Sequence, residues 1–335
     1  MKKILSYFAA NRIVSVLILV SALALMIYPR FNRNDIPLVQ AFSGLGKGEF
    51  SIDQKNYMLF AEYFRGNAQL SEVAVPYSYR PLAPFLVAAF PFPTGLSFTI
   101  FNIIVLIISS VIVFLVLRKL LFAFGYAVTG SLLFIVAFPL LYYSCMGNID
   151  PMSIMFIAAI VLCRLYKKDF LLPLLFFFAA LAKETTIIAF GYLAMYALTE
   201  RENRRTYLFY LALSFVTYIA AVYYARVTFG TSSGYSWLPA IKTIMENLPR
   251  PKTYLSFIIS FGFPGVLTLF YLFRNYKNDL WEHKKPLLMG FLGAMALWGY
   301  SFIAAYSDGR FVWAAYPFMV PLAVRYLFLR YGNKP

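Results

Sequence analysis

Histidine occurs once and cysteine twice in this chain of 335 residues, and acidic residues number 14 against 30 lysines and arginines. Two cysteines cannot build a disulfide framework or a cysteine-ligated metal cluster. Cys145 and Cys163 flank one expected membrane span, which puts them near opposite faces and out of pairing distance. The lone His283 lies between Trp281 and Lys284 in a basic loop, where surface placement is expected. There is no DxD, no HExxH and no glycine-rich phosphate loop, so no metal or nucleotide motif is written in the chain.

Charge of both signs is also scarce. Charged residues make up 13% of the chain against 61% hydrophobic, with a mean hydropathy of +0.70, a balance that excludes a water-soluble domain of this size. The chain therefore reads as an all-α polytopic membrane protein. Its net charge of +16 would suggest a nucleic-acid partner in a soluble protein. In a membrane protein lysine and arginine collect in cytoplasmic loops, and no basic run here is interleaved with aromatics in a soluble domain of its own, so no nucleic-acid partner is expected.

Apolar runs lie at 13–28, 97–117, 120–143, 151–163, 207–225, 254–273, 286–306 and 311–329. Ala22-Leu23-Ala24 could mimic a signal-peptidase site, but the polytopic remainder favours an uncleaved first span. Basic clusters at Arg118-Lys119, Arg164 to Lys168, Arg201 to Arg205, Lys284-Lys285 and Arg325 to Arg330 place these loops inside, with both termini cytoplasmic. The expectation is one transmembrane domain over 1–335 in the plasma (inner) membrane. Its two long outer loops fall at about 30–96 and about 226–253.

One interval is more informative. The stretches 164–169 and 200–205 are both basic-rich and both expected inside, so 170–198 must cross an even number of times. A hairpin follows, and with it a count of about ten spans. Each arm has about 13 residues and reaches only about 20 Å into a core of roughly 30 Å. The tip, Ala182-Lys183-Glu184-Thr185, is then recessed within the protein, where a charged pair marks a functional site by default.

The first long polar segment, 51–84, holds the other candidates. Asp53 and Tyr57 fall one helical turn apart and share a face, and Asp53 suits a general base for an acceptor hydroxyl. Asp35, Glu49, Glu62 and Glu72 share this loop and are not excluded by chemistry. Arg80-Pro81 is expected to end an extended piece, because the residue before proline is pushed out of the α region. Lys183 and Glu184 could bind a phosphate and position a hydroxyl, or neutralise each other as a buried pair. Asp150 before Pro151 reads as an N-cap, and Asn148 and Asp150 could also face the site. Arg310, after the turn Ser307-Asp308-Gly309, suits two-point phosphate contact or interfacial anchoring, as do Arg80 and Arg226.

The layout resembles the GT-C class of membrane glycosyltransferases, in particular small bacterial members of about ten spans without a soluble domain. The resemblance is carried by Asp53, Tyr57 and Tyr79-Arg80-Pro81-Leu82 after the first span, Asn148-Ile149-Asp150 before a short span, Ala182-Lys183-Glu184-Thr185 in a short hairpin, and Asp308-Gly309-Arg310-Phe311 with Pro317 and Pro321 in the last span. It implies a helical bundle with a helical first outer loop, over a cavity for a sugar carried on a polyprenyl phosphate. It further implies Asp53 as the base, Arg310, Lys183 and Arg80 at the lipid phosphate, and a glycan or lipid acceptor. The chain lacks the paired acidic motif that some members use for a metal, so a divalent metal is left open.

Two other functions compete: a transporter or flippase of lipid-linked sugar, and a non-catalytic membrane partner in envelope glycan assembly. No inverted repeat is visible, and the polar candidates cluster on the outer half instead of the midplane, which disfavours transport.

Overall fold

In the computed structural model, which describes residues 50–120, 122–143, 147–200, 204–230, 240–305 and 307–332, with the side chains of 141–143 excepted, the regular elements are helices. The expected first span at 13–28, the acids Asp35 and Glu49, Cys145 and Arg201 lie outside these residues. So do 231–239 of the expected second outer loop.

The polar segment begins with helix α1 (Ile52–Phe64). Ser51 Oγ accepts from Gln54 N at 3.3 Å while Gln54 Oε1 accepts from Ser51 N at 2.9 Å, a reciprocal cap that fixes where the helix starts. Tyr57, Phe60 and Ala61 form its buried face. At its far end Arg65 donates to the carbonyls of Phe90 and Phe92 and to Ser97 Oγ, which ties the helix to the loop between α2 (Leu82–Ala88) and α3 (Thr94–Lys119). The expected first outer loop is thus largely helical over its described part.

Among the described residues four helices are long and apolar enough to cross a membrane: α3, α9 (Arg204–Phe229), α11 (Pro251–Arg274), which follows the short α10 (Ile241–Asn247), and α12 (Lys284–Ala304). The other expected spans are shorter or lie outside the described residues. The run 120–143 divides into α4 (Phe124–Ile135) and α5 (Phe138–Tyr143), because Pro139 leaves the Ile135 carbonyl without its helical donor. The run 311–329 divides in the same way into α13 (Arg310–Trp313) and α14 (Tyr316–Tyr331), with Pro317 four residues beyond Trp313.

A third proline acts inside α11. Its helix is interrupted at Gly262, with φ 51° and ψ −161°, and Pro264 cannot donate to the Ser260 carbonyl. The hydroxyl of Tyr316 donates to that carbonyl at 2.7 Å instead, so the acceptor that Pro264 cannot serve is not orphaned in an apolar setting.

One buried cluster of apolar side chains runs from Tyr57 to Val324. Its centre is the first half of α14, buried without interruption through Val324 and packed against α11, α4, α12 and α6 (Asp150–Leu165).

The stretch after α6 turns back on itself. Helix α7 (Leu172–Ala182) ends at Lys183, whose backbone is extended, and a 3-10 turn over Glu184–Ile188 leads into α8 (Ala189–Thr199). Arg164, at the end of α6, binds Asp169 at 2.6 Å and also pairs with Glu200, so both feet of the hairpin meet one guanidinium. That guanidinium lies over the rings of Tyr196 and Tyr207 at 5.0 and 4.3 Å. Phe176 and Phe190 stack between the arms with centroids 4.0 Å apart. A single tilted helix over 170–198 would place these groups tens of ångströms apart.

Candidate functional site

Asp53, on the face of α1 that turns toward the bundle, is met by two donors. Tyr77 Oη donates to Oδ1 at 2.9 Å, and Arg310 pairs with Oδ2 from the other end of the sequence. Burial alone would raise this carboxyl. The Arg310 guanidinium, its hydrogen bond and that of Tyr77 overcome burial and hold it at about 2.

Arg310 is in turn held by Asp308, whose Oδ1 accepts from the Arg310 backbone N–H at 3.0 Å and lies 3.3 Å from Nε. Burial pushes the Asp308 carboxyl up despite that neighbour. One guanidinium thus stands between two carboxylates.

Arg80 lies on the other side of Tyr57. It donates to Tyr57 Oη at 2.6 Å and makes a two-point contact with Glu184, with Nε to Oε2 at 2.8 Å. The backbone at Arg80 is non-helical, as proline at 81 requires, but Tyr77–Tyr79 before it is a 3-10 turn and not the expected extended piece. That turn is what aims Tyr77 at Asp53 and Arg80 at the hairpin.

Lys183 pairs with Asp150, and its ammonium lies 5.9 Å from the centre of the Phe311 ring, next in sequence to Arg310. Two expectations are corrected here. Asp150 does not cap α6, since Ile149 is the N-cap residue and no side chain caps it; the carboxylate is committed to Lys183. Lys183 and Glu184 do not neutralise each other, because an extended residue at the tip sends their side chains to different partners.

The turn before α6 closes the group. Asn148 contributes its backbone carbonyl, which accepts from Asn102 Nδ2 at 2.9 Å. Gly147, at φ +75°, lies so close to Gln54 that a Cβ would fall 2.9 Å from its backbone, so this turn rests on α1 beside Asp53.

The structure therefore brings Asp53, Tyr57, Arg80, Asp150, Lys183, Glu184 and Arg310 into one connected set, with Asn148 at its edge. Glu62 instead pairs with Arg65, and Glu72 caps a 3-10 turn. Arg226 is exposed, with its guanidinium 5.6 Å from the Tyr79 ring centre. Three members were missed by sequence reasoning. Tyr77 carried no signal beyond its place in a polar segment, and Asp308 was read as a turn residue and part of the motif around Arg310, without a role of its own. Asn102, a buried amide within an apolar run, was the legible one. His283 is a further correction: instead of standing on the surface it is half-buried at the Arg164 end, with Nδ1 2.6 Å from Tyr196 Oη.

No family model matches the chain, and neither a curated protein nor a solved structure matches it. Function must then be argued from the site.

Among the described residues no three histidine, cysteine or acidic side chains are grouped to hold a metal ion. The acids of the site, Asp53, Asp150, Glu184 and Asp308, each face a cation. Chemically, the arrangement offers carboxylates that can accept a proton and fixed cations that can stabilise negative charge on a leaving group.

Proposed function

We propose that this chain is an integral membrane glycosyltransferase that moves a sugar from a polyprenyl-phosphate donor to a hydroxyl acceptor, on the outer face of the plasma (inner) membrane, in cell-envelope glycan or glycolipid assembly. The observation that carries the reading is the convergence of Asp53, Arg80, Asp150, Lys183, Glu184 and Arg310 from distant segments at one end of α6. Ion pairs within an apolar bundle are often no more stabilising than packed hydrocarbon, so three of them at one level favour a functional origin over a structural one.

Sidedness supports the same reading. Arg164, His283, Lys284 and Arg325 gather at the opposite end of the bundle, linked through Tyr196, Trp281 and Asp279. The positive-inside rule assigns that end to the cytoplasm and the site to the outer face. Cytosolic nucleotide sugars do not reach that face, whereas a lipid-linked donor does.

In the proposed reaction the acceptor hydroxyl gives its proton to the Asp53 carboxylate as its oxygen bonds to the anomeric carbon. The bond from that carbon to the phosphate oxygen breaks, and polyprenyl phosphate leaves with the electron pair. Arg310, Arg80 and Lys183 stabilise the charge that develops on it. The test uses purified protein in lipid nanodiscs with a radiolabelled polyprenyl-phosphate sugar and a panel of outer-envelope acceptors. Turnover that Asp53→Asn abolishes supports the transferase. Binding without turnover shifts the assignment to a transporter or a non-catalytic partner, and absence of both overturns the reading.

A further inference from the structure

Among the described residues seven charged side chains meet at the hairpin tip: Asp53, Asp150, Glu184 and Asp308 against Arg80, Lys183 and Arg310. Arg250, which interacts with Asp308, brings the ionised set only to neutrality. An incoming anion finds no surplus cation in this set. Within this set it gains one by taking it from a carboxylate.

The three bases differ in how readily they can be given up. The Arg80 side chain is 6% exposed and holds Glu184 at two points and Tyr57 at a third. Lys183 and Asp150 are 7% and 9% exposed. Arg310, at 22%, is the most exposed of the three bases although Glu184 is the most exposed of the acids, and a single guanidinium nitrogen joins it to Asp53. Arg310 also carries a spare donor, because its buried Nε has no hydrogen-bond acceptor among the described residues although Asp308 lies close by. Asp308 further fixes the Arg310 backbone, so this arginine has a second carboxylate to rest against if it leaves the first.

We propose that Arg310 is a displaceable guard on Asp53: the donor's phosphate takes the guanidinium, Asp308 keeps that side chain at the site during the exchange, and the Asp53 carboxylate is freed as a base only when the site is occupied. This rests on the reading above that the site receives a phosphate-bearing lipid. Asp308 is a positioning residue in this scheme.

The groups facing Asp53 fit the exchange. Arg310, Tyr77 and Arg80 favour its charged form, while burial and the negative charge of Asp308 oppose it. In the paired state the carboxyl sits at about 2 and is a weak base near neutral pH. Withdrawing Arg310 removes the main influence holding it down and leaves burial to raise it. Tyr57, also close, is neutral and does not compete for the proton.

The experiment is infrared difference spectroscopy on the full chain in nanodiscs, with carbon-13-labelled aspartate, at about pH 5, above the ordinary carboxylate range. Adding polyprenyl monophosphate should produce a protonated-carboxyl band that Asp53→Asn lacks and that uncharged polyprenol does not elicit. Arg310→Gln should show the band with no ligand added. Asp308→Asn should need about tenfold more lipid for the same band, with recovery in Asp308→Glu. Inorganic phosphate alone producing the band would identify the phosphate group, without its lipid, as the sufficient signal. Binding of polyprenyl monophosphate with no band, or an unchanged carboxyl in Arg310→Gln, overturns the guard. A band without any sugar transfer would leave the guard standing and remove the transferase reading, and absence of lipid binding would remove both.

Discussion

Lys183 and Glu184 are neighbours in the chain, yet their charges leave in different directions, Lys183 to Asp150 at the start of α6 and Glu184 to Arg80 in the segment that follows α1. The backbone at Lys183, φ −168° and ψ 130°, makes this possible, because successive side chains of an extended chain point to opposite sides. The hairpin tip thereby joins a core helix to the polar segment above it.

Removing one partner of such a contact strands the other. Arg80→Met should destabilise the protein by about 3 kcal/mol, the lower end for a broken buried pair because Glu184 is partly exposed. The double variant Arg80→Met with Glu184→Leu should recover most of that loss. Thermal unfolding in detergent decides it, and a double variant as unstable as the single one would show that the pair is not the stabilising unit.

Acid should weaken the fold through Asp53. Its carboxyl is lowered from 3.8 to about 2 in the folded chain, so its contribution is complete above about pH 4 and is lost as pH falls toward 2. The amount is on the order of 2 kcal/mol. Asp53→Asn should be less stable than the parent at pH 7 and should converge with it near pH 2; parallel curves over that range would contradict the pairing with Arg310.

Some of this architecture was legible because charge is so scarce. Two basic stretches thirty residues apart forced the chain to return between them, and the shared grip of Arg164 on Asp169 and Glu200 is the physical form of that return. The site residues were legible as polar groups in an apolar chain, but their partners were not. Asp53 and Arg310 stand 257 positions apart, and no local pattern encodes which cation meets which acid. Asp150 shows how a local rule misleads: Asp-Pro at a helix start favours capping, and a tertiary ion pair outweighed it. The runs 120–143 and 311–329 read as undivided although the missing donors of Pro139 and Pro317 marked their breaks, whereas the burial of α14 depended on packing among helices far away in sequence.

Arg164 should be the costliest single charge at the other end of the bundle. Arg164→Leu leaves Asp169 and Glu200 facing each other without a cation, and a loss of roughly 3–5 kcal/mol is expected. Adding Asp169→Asn and Glu200→Gln should restore part of it. No recovery in the triple variant would locate the role of Arg164 in its stacking on Tyr196 and Tyr207.

Orientation can be read by labelling. Asn67 and Glu282 are both exposed, one beside the end of α1 and the other in the loop that carries His283. In a cysteine-free background, Asn67→Cys should react with an impermeant maleimide in intact cells, and Glu282→Cys only after permeabilisation. Equal reaction of both in intact cells would overturn the proposed placement of the site.

The helix at the centre of the bundle, α14, is made after every helix that packs around it. Synthesis therefore delivers the helices that pack around α14 before α14 itself, so these contacts of large sequence separation form late. Arg310 arrives in the same late segment, and until it does Asp53 has lost its main counter-charge. The packing around α14 and the neutralisation of Asp53 depend on this one segment, so its arrival separates a chain with an unpaired polar site in an apolar bundle from one in which that site is paired.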